Sequence, residues 1–240
     1  MALAVTAAIG AQSRDADPPR PDWSGLYQLV RGENIDGLKP INRDLHKTIV
    51  AHLQPWAIAK MEATDGVADD PGAVCQPTGL FRYPPYVGTL LWLHGADKIV
   101  VVYGSISTGG VQRIFLNRPH PRNLLPTWNG HSSGRWEGDT LVVDSIGFNS
   151  RSWLQPAMEP HTEETHLIQR IRQVAGGKYL EIHFTVEDRL ALTSAYEYSR
   201  YYRRVDDTMP ESVCNEDPLR WKANRDQRLQ PLVERSRHVE

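Results

Sequence analysis

Four histidines and one aspartate are the side chains of this sequence best suited to moving a proton: His120, His131, His161, His166 and Asp144. A histidine titrates near neutral pH, so it can give or take a proton there, and a nearby carboxylate can orient the ring and stabilise its charged form. His161 is expected to be the principal base or acid, with His131 its counterpart and Asp144 the orienting carboxylate. Asp144 interrupts Leu141-Val142-Val143-Asp144-Ser145-Ile146, an otherwise apolar run. A carboxylate in such a strand needs a partner, because an unpaired buried charge is costly. Arg170 or Arg172 on the next strand is the expected one. It would either tie two strands together as an ion pair or, as Arg170, stabilise a developing oxyanion. This is lyase, hydratase, isomerase or cyclase chemistry on a small apolar or aromatic substrate, and it calls for no cofactor.

Two other kinds of chemistry use overlapping residues. His120, His131 and His161 would make a three-ligand metal site if the loops carrying them meet. Gly130-His131-Ser132-Ser133-Gly134 has the G-x-S-x-G pattern of a nucleophile elbow. An elbow needs a strand turning into a helix, and here a tight hairpin at Glu137-Gly138-Asp139 follows instead. His120, Trp128, Trp153, Glu164, His166 and Tyr198 are expected to contact the substrate. A binding protein for a hydrophobic small molecule, with the histidines as rim groups, is the alternative to an enzyme.

The elements that must position these residues are strands. The chain has 240 residues, 40% hydrophobic and 23% charged, with 18 Gly and 17 Pro, a turn-rich globular composition. Lys and Arg number 27 against 29 Asp and Glu, which leaves no basic excess for a nucleic acid. No segment reaches the run of about 18 apolar residues needed for a membrane helix. Helical spacing is sustained only at Leu45, Ile49, Leu53 and Ala57, with Pro55 expected to end or kink that helix. Strand-like runs lie at 23–30, 90–94, 99–103, 111–117, 133–137, 140–148, 165–174, 179–187 and 195–205. Short turns between them imply antiparallel neighbours.

The expected fold is therefore all-β: an up-and-down, antiparallel, lipocalin-like β-barrel, with a two-sheet sandwich as the alternative. Residues 15–88 would form an N-terminal strand, a helix and a Pro/Gly-rich wrap, residues 89–205 the barrel and residues 206–240 a C-terminal extension, all in one domain. In a strict meander the turns at 107–110, 137–139 and 175–178 share one closed end. The opposite end then receives the hairpin at His94, the connections 118–132 and 149–164, and the loop 188–194. That end is the expected mouth, and it carries the histidines.

Residues 1–11 are almost wholly small and apolar and the chain turns polar at Gln12, Ser13 and Arg14, so 1–14 reads like the second half of a secretory signal. Cys75 and Cys214 are the two cysteines. In an exported chain a bridge between them would tie the C-terminal region to the body, whereas in a cytosolic chain they would be buried thiols. The run Gly130-His131-Ser132-Ser133-Gly134-Arg135-Trp136-Glu137-Gly138-Asp139-Thr140-Leu141-Val142-Val143 resembles the core of a group of exported bacterial proteins of mostly unassigned function. Phe148-Asn149, Trp153, His161-Thr162-Glu163, the Pro21-to-Gly25 opening, Cys75 with Pro77, and the late Cys214 are similar to that group as well. The resemblance implies export to the periplasm or beyond and a β-rich fold, and it implies no reaction. The group often carries Glu-Arg where this chain has Gln169-Arg170, and Asp-Pro where it has Asp188-Arg189.

Overall fold

Residues that alternate between apolar and polar face a core on one side and water on the other, and this alternation carries nine strands among the described residues. In the computed structural model these are residues 21–31, 45–82, 88–104, 110–155, 157–209 and 214. The leader at 1–14, residues 107–109 of the expected turn, and the extension beyond 209 apart from Cys214 lie outside them. The strands are β1 (Gly25–Leu29), β2 (Thr89–His94), β3 (Lys98–Gly104), β4 (Gly110–Leu116), β5 (His131–Glu137), β6 (Thr140–Ile146), β7 (His166–Val174), β8 (Tyr179–Glu187) and β9 (Tyr196–Val205). They pair in sequence order and close with β9 on β1. The fold is a closed, nine-stranded β-barrel.

One interface departs from the expected meander. β4 and β5 run parallel, and every other neighbour pair, including β9 with β1, is antiparallel. The reason is parity. Directions that alternate around a ring of nine cannot match where the ring closes, so an odd-stranded closed barrel must contain a parallel pair. The 14 residues between Leu116 and His131 are long enough to return the chain along the barrel, as a parallel connection requires. This step corrects the expected ends. The β2–β3 hairpin at His94 joins the β5–β6 and β7–β8 turns at the closed end, and the β3–β4 connection lies at the mouth.

Leu90, Trp92, Val101, Ile114, Val143, Ile171, Ile182 and Phe184 point inward and are at most 1% exposed. Trp23, Trp92, Trp136 and His94 cluster at the closed end, with Trp23 4.9 Å from Trp136 and 6.0 Å from Trp92 between ring centroids. At the mouth, α1 (Leu45–Val50) and α2 (Pro55–Ala63) form the wrap. Pro55 starts α2, where its missing N–H has no helical partner to lose. Ile49, Leu53 and Ala57 are buried. The wrap is held to the β8–β9 loop because Gln54 N donates to Ala191 O at 2.8 Å and Trp56 Nε1 to Leu190 O at 2.7 Å. Cys75 and Cys214 form a disulfide across 139 residues.

Candidate functional site

The site is built where the parallel pair comes apart. β4 and β5 pair only through Ile114–Leu116 with Ser132–Gly134. At that contact Gly134 faces Ile114 so closely that an added Cβ would lie 2.5 Å from Ile114 Cγ2. Gly130, which turns the chain into β5, has a φ of +61°, and a Cβ there would sit 2.6 Å from the Ile146 carbonyl. Gly130 is thus required by backbone geometry, and Gly134 by the close approach of the Ile114 side chain. Ser132 between them is buried, 2.7 Å from Ser145 Oγ, and accepts a 3.0 Å hydrogen bond from Gln112 Nε2.

Towards the mouth the strands separate around a cleft of about 360 Å³. Pro77, Val111, Phe115 and Trp128 supply its apolar lining, and Gln112, Arg113, Asn129, His131 and Ser132 its polar groups. Gln112 also accepts from the Tyr103 hydroxyl at 2.6 Å and donates to Gln169 Oε1 at 2.7 Å. The inner edge of the cleft is therefore a satisfied polar network.

On the outer face, five titratable side chains form one chain of contacts. His131 Nδ1 is 2.8 Å from His120 Nδ1, and His120 Nε2 is 3.1 Å from Asp144 Oδ1. Asp144 Oδ1 is 3.0 Å from His166 Nε2, and His166 Nδ1 is 3.2 Å from Glu187 Oε2. A carboxylate only accepts, so His120 Nε2 carries a proton towards Asp144. With His120 neutral, its Nδ1 is the acceptor and His131 Nδ1 donates to it. A neutral His131 is then left with a lone pair on Nε2. His166 lies between two carboxylates, and both contacts are hydrogen bonds only when both ring nitrogens carry protons. The His131 ring stacks on Phe115 with centroids 5.0 Å apart and planes 9° apart. Burial, and then the neighbouring His120, pull the His131 pKa below the ordinary histidine value. Its neutral, proton-accepting form is thereby favoured near pH 7.

His161 is elsewhere. The sequence placed it at the centre of the chemistry, but it lies in the β6–β7 loop, 1% exposed, with Phe81 5.0 Å away between ring centroids. Its Nδ1 donates to Thr162 O at 3.0 Å and its Nε2 accepts from Ser152 Oγ at 3.0 Å. Burial pushes its pKa down to about 4. Beside it, Asp188 accepts from Thr162 N at 2.7 Å, Thr165 Oγ1 at 2.8 Å and Ala191 N at 2.9 Å. Burial alone would raise the Asp188 pKa, but these hydrogen bonds outweigh it and hold it below the usual carboxylate value. His161, Thr165 and Asp188 knit two mouth loops together.

The remaining expected residues divide between the site and other structures. His120, His131, Asp144 and His166 come together, with Trp128 beside His131 in the cleft lining. Arg170 is not the partner of Asp144. In register it faces Val142, and it pairs with Glu137 at 3.0 Å, while Arg172 pairs with Glu181 at 2.9 Å. Asp144, on the outer face of β6, meets imidazoles instead. Trp153 is buried under the Arg82 guanidinium, which lies 5.0 Å from its ring centroid. Glu164 pairs with Arg189 at the surface. Tyr198 is inside the barrel, stacked on Phe184 at 4.6 Å. The three-histidine metal set is not assembled, because His161 stands apart from His120 and His131. Among the described residues no group of three or more His, Cys, Asp or Glu side chains is arranged to hold a metal ion. No helix among them is long and apolar enough to cross a membrane.

Sequence reasoning missed Glu187, Gln112, Arg113 and Asn129. Glu187 had a usable signal: counting outward from the 175–178 turn places it opposite His166. Gln112 shares the inward parity of Ile114, which marks a polar group in the interior.

No protein-family model matches this chain, and no curated protein does. Among solved structures it is similar to one titled "REP1-NXSQ fatty acid transporter", at 12% identity and a TM-score of 0.36, covering 77% of this chain and 97% of that one. At that distance the likeness carries no argument about ligand or activity, and the barrel rests on its own strand pairing.

Proposed function

We propose that this protein is an exported enzyme that performs cofactor-independent acid and base chemistry of the lyase, hydratase, isomerase or cyclase kind. Its substrate would be a small aromatic or apolar molecule held in the β4–β5 cleft. One observation carries the reading: His131 belongs both to the cleft lining and to the end of the His120–Asp144–His166–Glu187 chain. His131 Nε2 takes the proton. His120 fixes the tautomer through Nδ1, and Asp144 orients His120 and stabilises the positive charge that develops when His131 is protonated. The exchange of roles between His131 and His161 follows from burial, because His161 has both ring nitrogens engaged by loop groups. A volume of about 360 Å³ lies in the range of small-molecule sites. The Cys75–Cys214 disulfide and the apolar leader support export, since disulfides persist in oxidising compartments.

The test is a screen of small aromatic and branched aliphatic compounds in deuterated buffer. NMR would read product formation and deuterium uptake at carbon. Conversion by the wild type that is lost in His131→Gln supports the reading. Conversion that persists in His131→Gln, or ligands that bind without conversion or exchange, overturns it and favours a binding protein.

A further inference from the structure

We infer that His166 and Glu187 form a proton-operated latch that positions Asp144, closed while the His166 ring carries two protons and opened when it loses one; this rests on His131 being the base of the proposed reaction. The Asp144 side chain stands on the outer face of β6 and is 35% exposed, so packing alone leaves its carboxylate a choice of rotamers. Its Oδ1 meets His120 Nε2 at 3.1 Å and His166 Nε2 at 3.0 Å. His120 comes from the return segment between β4 and β5, whereas His166 opens β7, the strand beside β6. In register Asp144 faces Ile168, which makes His166 its diagonal neighbour on the same face, and His166 faces Glu187 directly. His166 Nδ1 lies 3.2 Å from Glu187 Oε2. One imidazole therefore ties β6, β7 and β8 together through two carboxylates, and Glu187 orients the ring that holds Asp144.

The switch follows from counting protons. A carboxylate only accepts, and a neutral imidazole has one N–H. With two protons His166 donates to both carboxylates. Without the Nδ1 proton it turns a lone pair to Glu187 and loses its orienting partner; without the Nε2 proton it turns a lone pair to Asp144 and releases it. Among the described residues the titratable groups in contact with His166 are Asp144 from β6 and Glu187 from β8. His120 from the return segment shares the Asp144 oxygen, and Glu164 and Arg189, two residues outside the His166–Glu187 pair, are engaged with each other at 3.0 Å. The latch reaches the cleft through His120. Asp144 keeps the His120 proton on Nε2, and this leaves Nδ1 to accept from His131. The site thus needs a neutral His131 and a doubly protonated His166, so it is competent over a bounded interval of pH.

The test is NMR of the imidazole nitrogens in the full-length, disulfide-bonded protein, titrated from about pH 5 to 9, the range in which histidine changes charge. In the wild type His120 should hold a single Nε2–H tautomer while His166 carries two protons, and its two tautomers should mix as His166 loses one. Glu187→Gln should shorten that interval on its alkaline side and His166→Phe should remove it. His166→Lys, a donor that stays charged throughout, should extend it. Glu187 is half exposed, so its substitution keeps the test open if His166→Phe fails to fold, which thermal melting reads. With a converted ligand in hand, His166→Phe should slow turnover about 10- to 100-fold, and the alkaline limb of the rate profile should move with the tautomer. A His120 tautomer indifferent to His166 protonation, one unchanged in Glu187→Gln, or a wild-type His166 with a single proton throughout would each overturn the inference. The tautomer is read without substrate, so the two readings fail separately. A working latch without any turnover defeats only the proposed reaction. Turnover lost in His131→Gln, with the His120 tautomer unmoved by Glu187→Gln, defeats only the latch.

Discussion

The β7–β8 hairpin and the β4–β5 seam show how differently one barrel can treat two neighbouring strand pairs. In the hairpin, every residue of β7 from His166 to Val174 faces a partner in β8. Its inward side chains Leu167, Ile171, Ile182 and Phe184 are at most 1% exposed. Backbone groups are paired, the apolar face is covered, and no space for a ligand is left. At the seam only three residues of each strand pair, glycine replaces a core side chain at Gly134, and the space beyond is lined by polar as well as apolar groups. An odd-stranded ring must contain a parallel interface somewhere, and this chain has its cleft there. Close packing and the proposed site thus lie in different parts of the sheet.

The contrast can be broken in either half, and His131→Gln should have the largest effect. Turnover of a converted ligand should fall roughly 10²–10⁴-fold, measured as initial rates, with little change in the melting temperature; a large loss of stability would make His131 a structural residue instead. In the hairpin, Ile182→Ala should destabilise by about 2–5 kcal/mol, read from the denaturant midpoint, and leave binding of the same ligand at the cleft unchanged. Loss of binding there would show that the two halves are coupled.

The third prediction concerns pH. His161 has a folded pKa of about 4, below its ordinary value of 6.5. Its contribution is therefore fully present above about pH 6.5 and is lost as pH falls towards 4, because the unfolded chain takes up the proton first. That contribution is on the order of 3 kcal/mol. Unfolding free energy measured between pH 7 and 4 should decline in the wild type and decline less in His161→Gln. Identical slopes would rule out His161 as the source. The smallest effect is expected at the seam contact itself, where Gly134→Ala should cost about 1–3 kcal/mol through crowding of Ile114. It should also alter affinity for the cleft ligand, unlike the hairpin substitution.

Strand positions were legible because inward and outward residues alternate over long stretches, as in Leu180, Ile182, Phe184 and Val186. The parallel pair was not read from the sequence, although nine strands in a closed ring already exclude complete alternation. That constraint belongs to the whole ring, and it cannot be seen while strands are read one turn at a time. His131, His120, Asp144 and His166 stood out by residue type. Their grouping depended on Asp144 sharing the outward parity of Val142, and on the path of the return segment that carries His120. His161 stood out equally, yet its loop folds inward under Phe81, and nothing in its immediate neighbours announces that burial. Asn129 and Arg113 were silent, since a place in a cleft wall is set by what surrounds a residue in space and not by its neighbours in sequence.

The Cys75–Cys214 bridge has a mechanical consequence. It joins a point between β1 and β2 to a point after β9, so β2 through β9 lie inside a covalent loop. Tension applied between a point before Trp23 and a point beyond Cys214 would run through β1 and then across the sulfur–sulfur link. β1 would peel away from β2 and β9 while the eight strands inside the loop, the cleft among them, carried no load until the bridge was reduced.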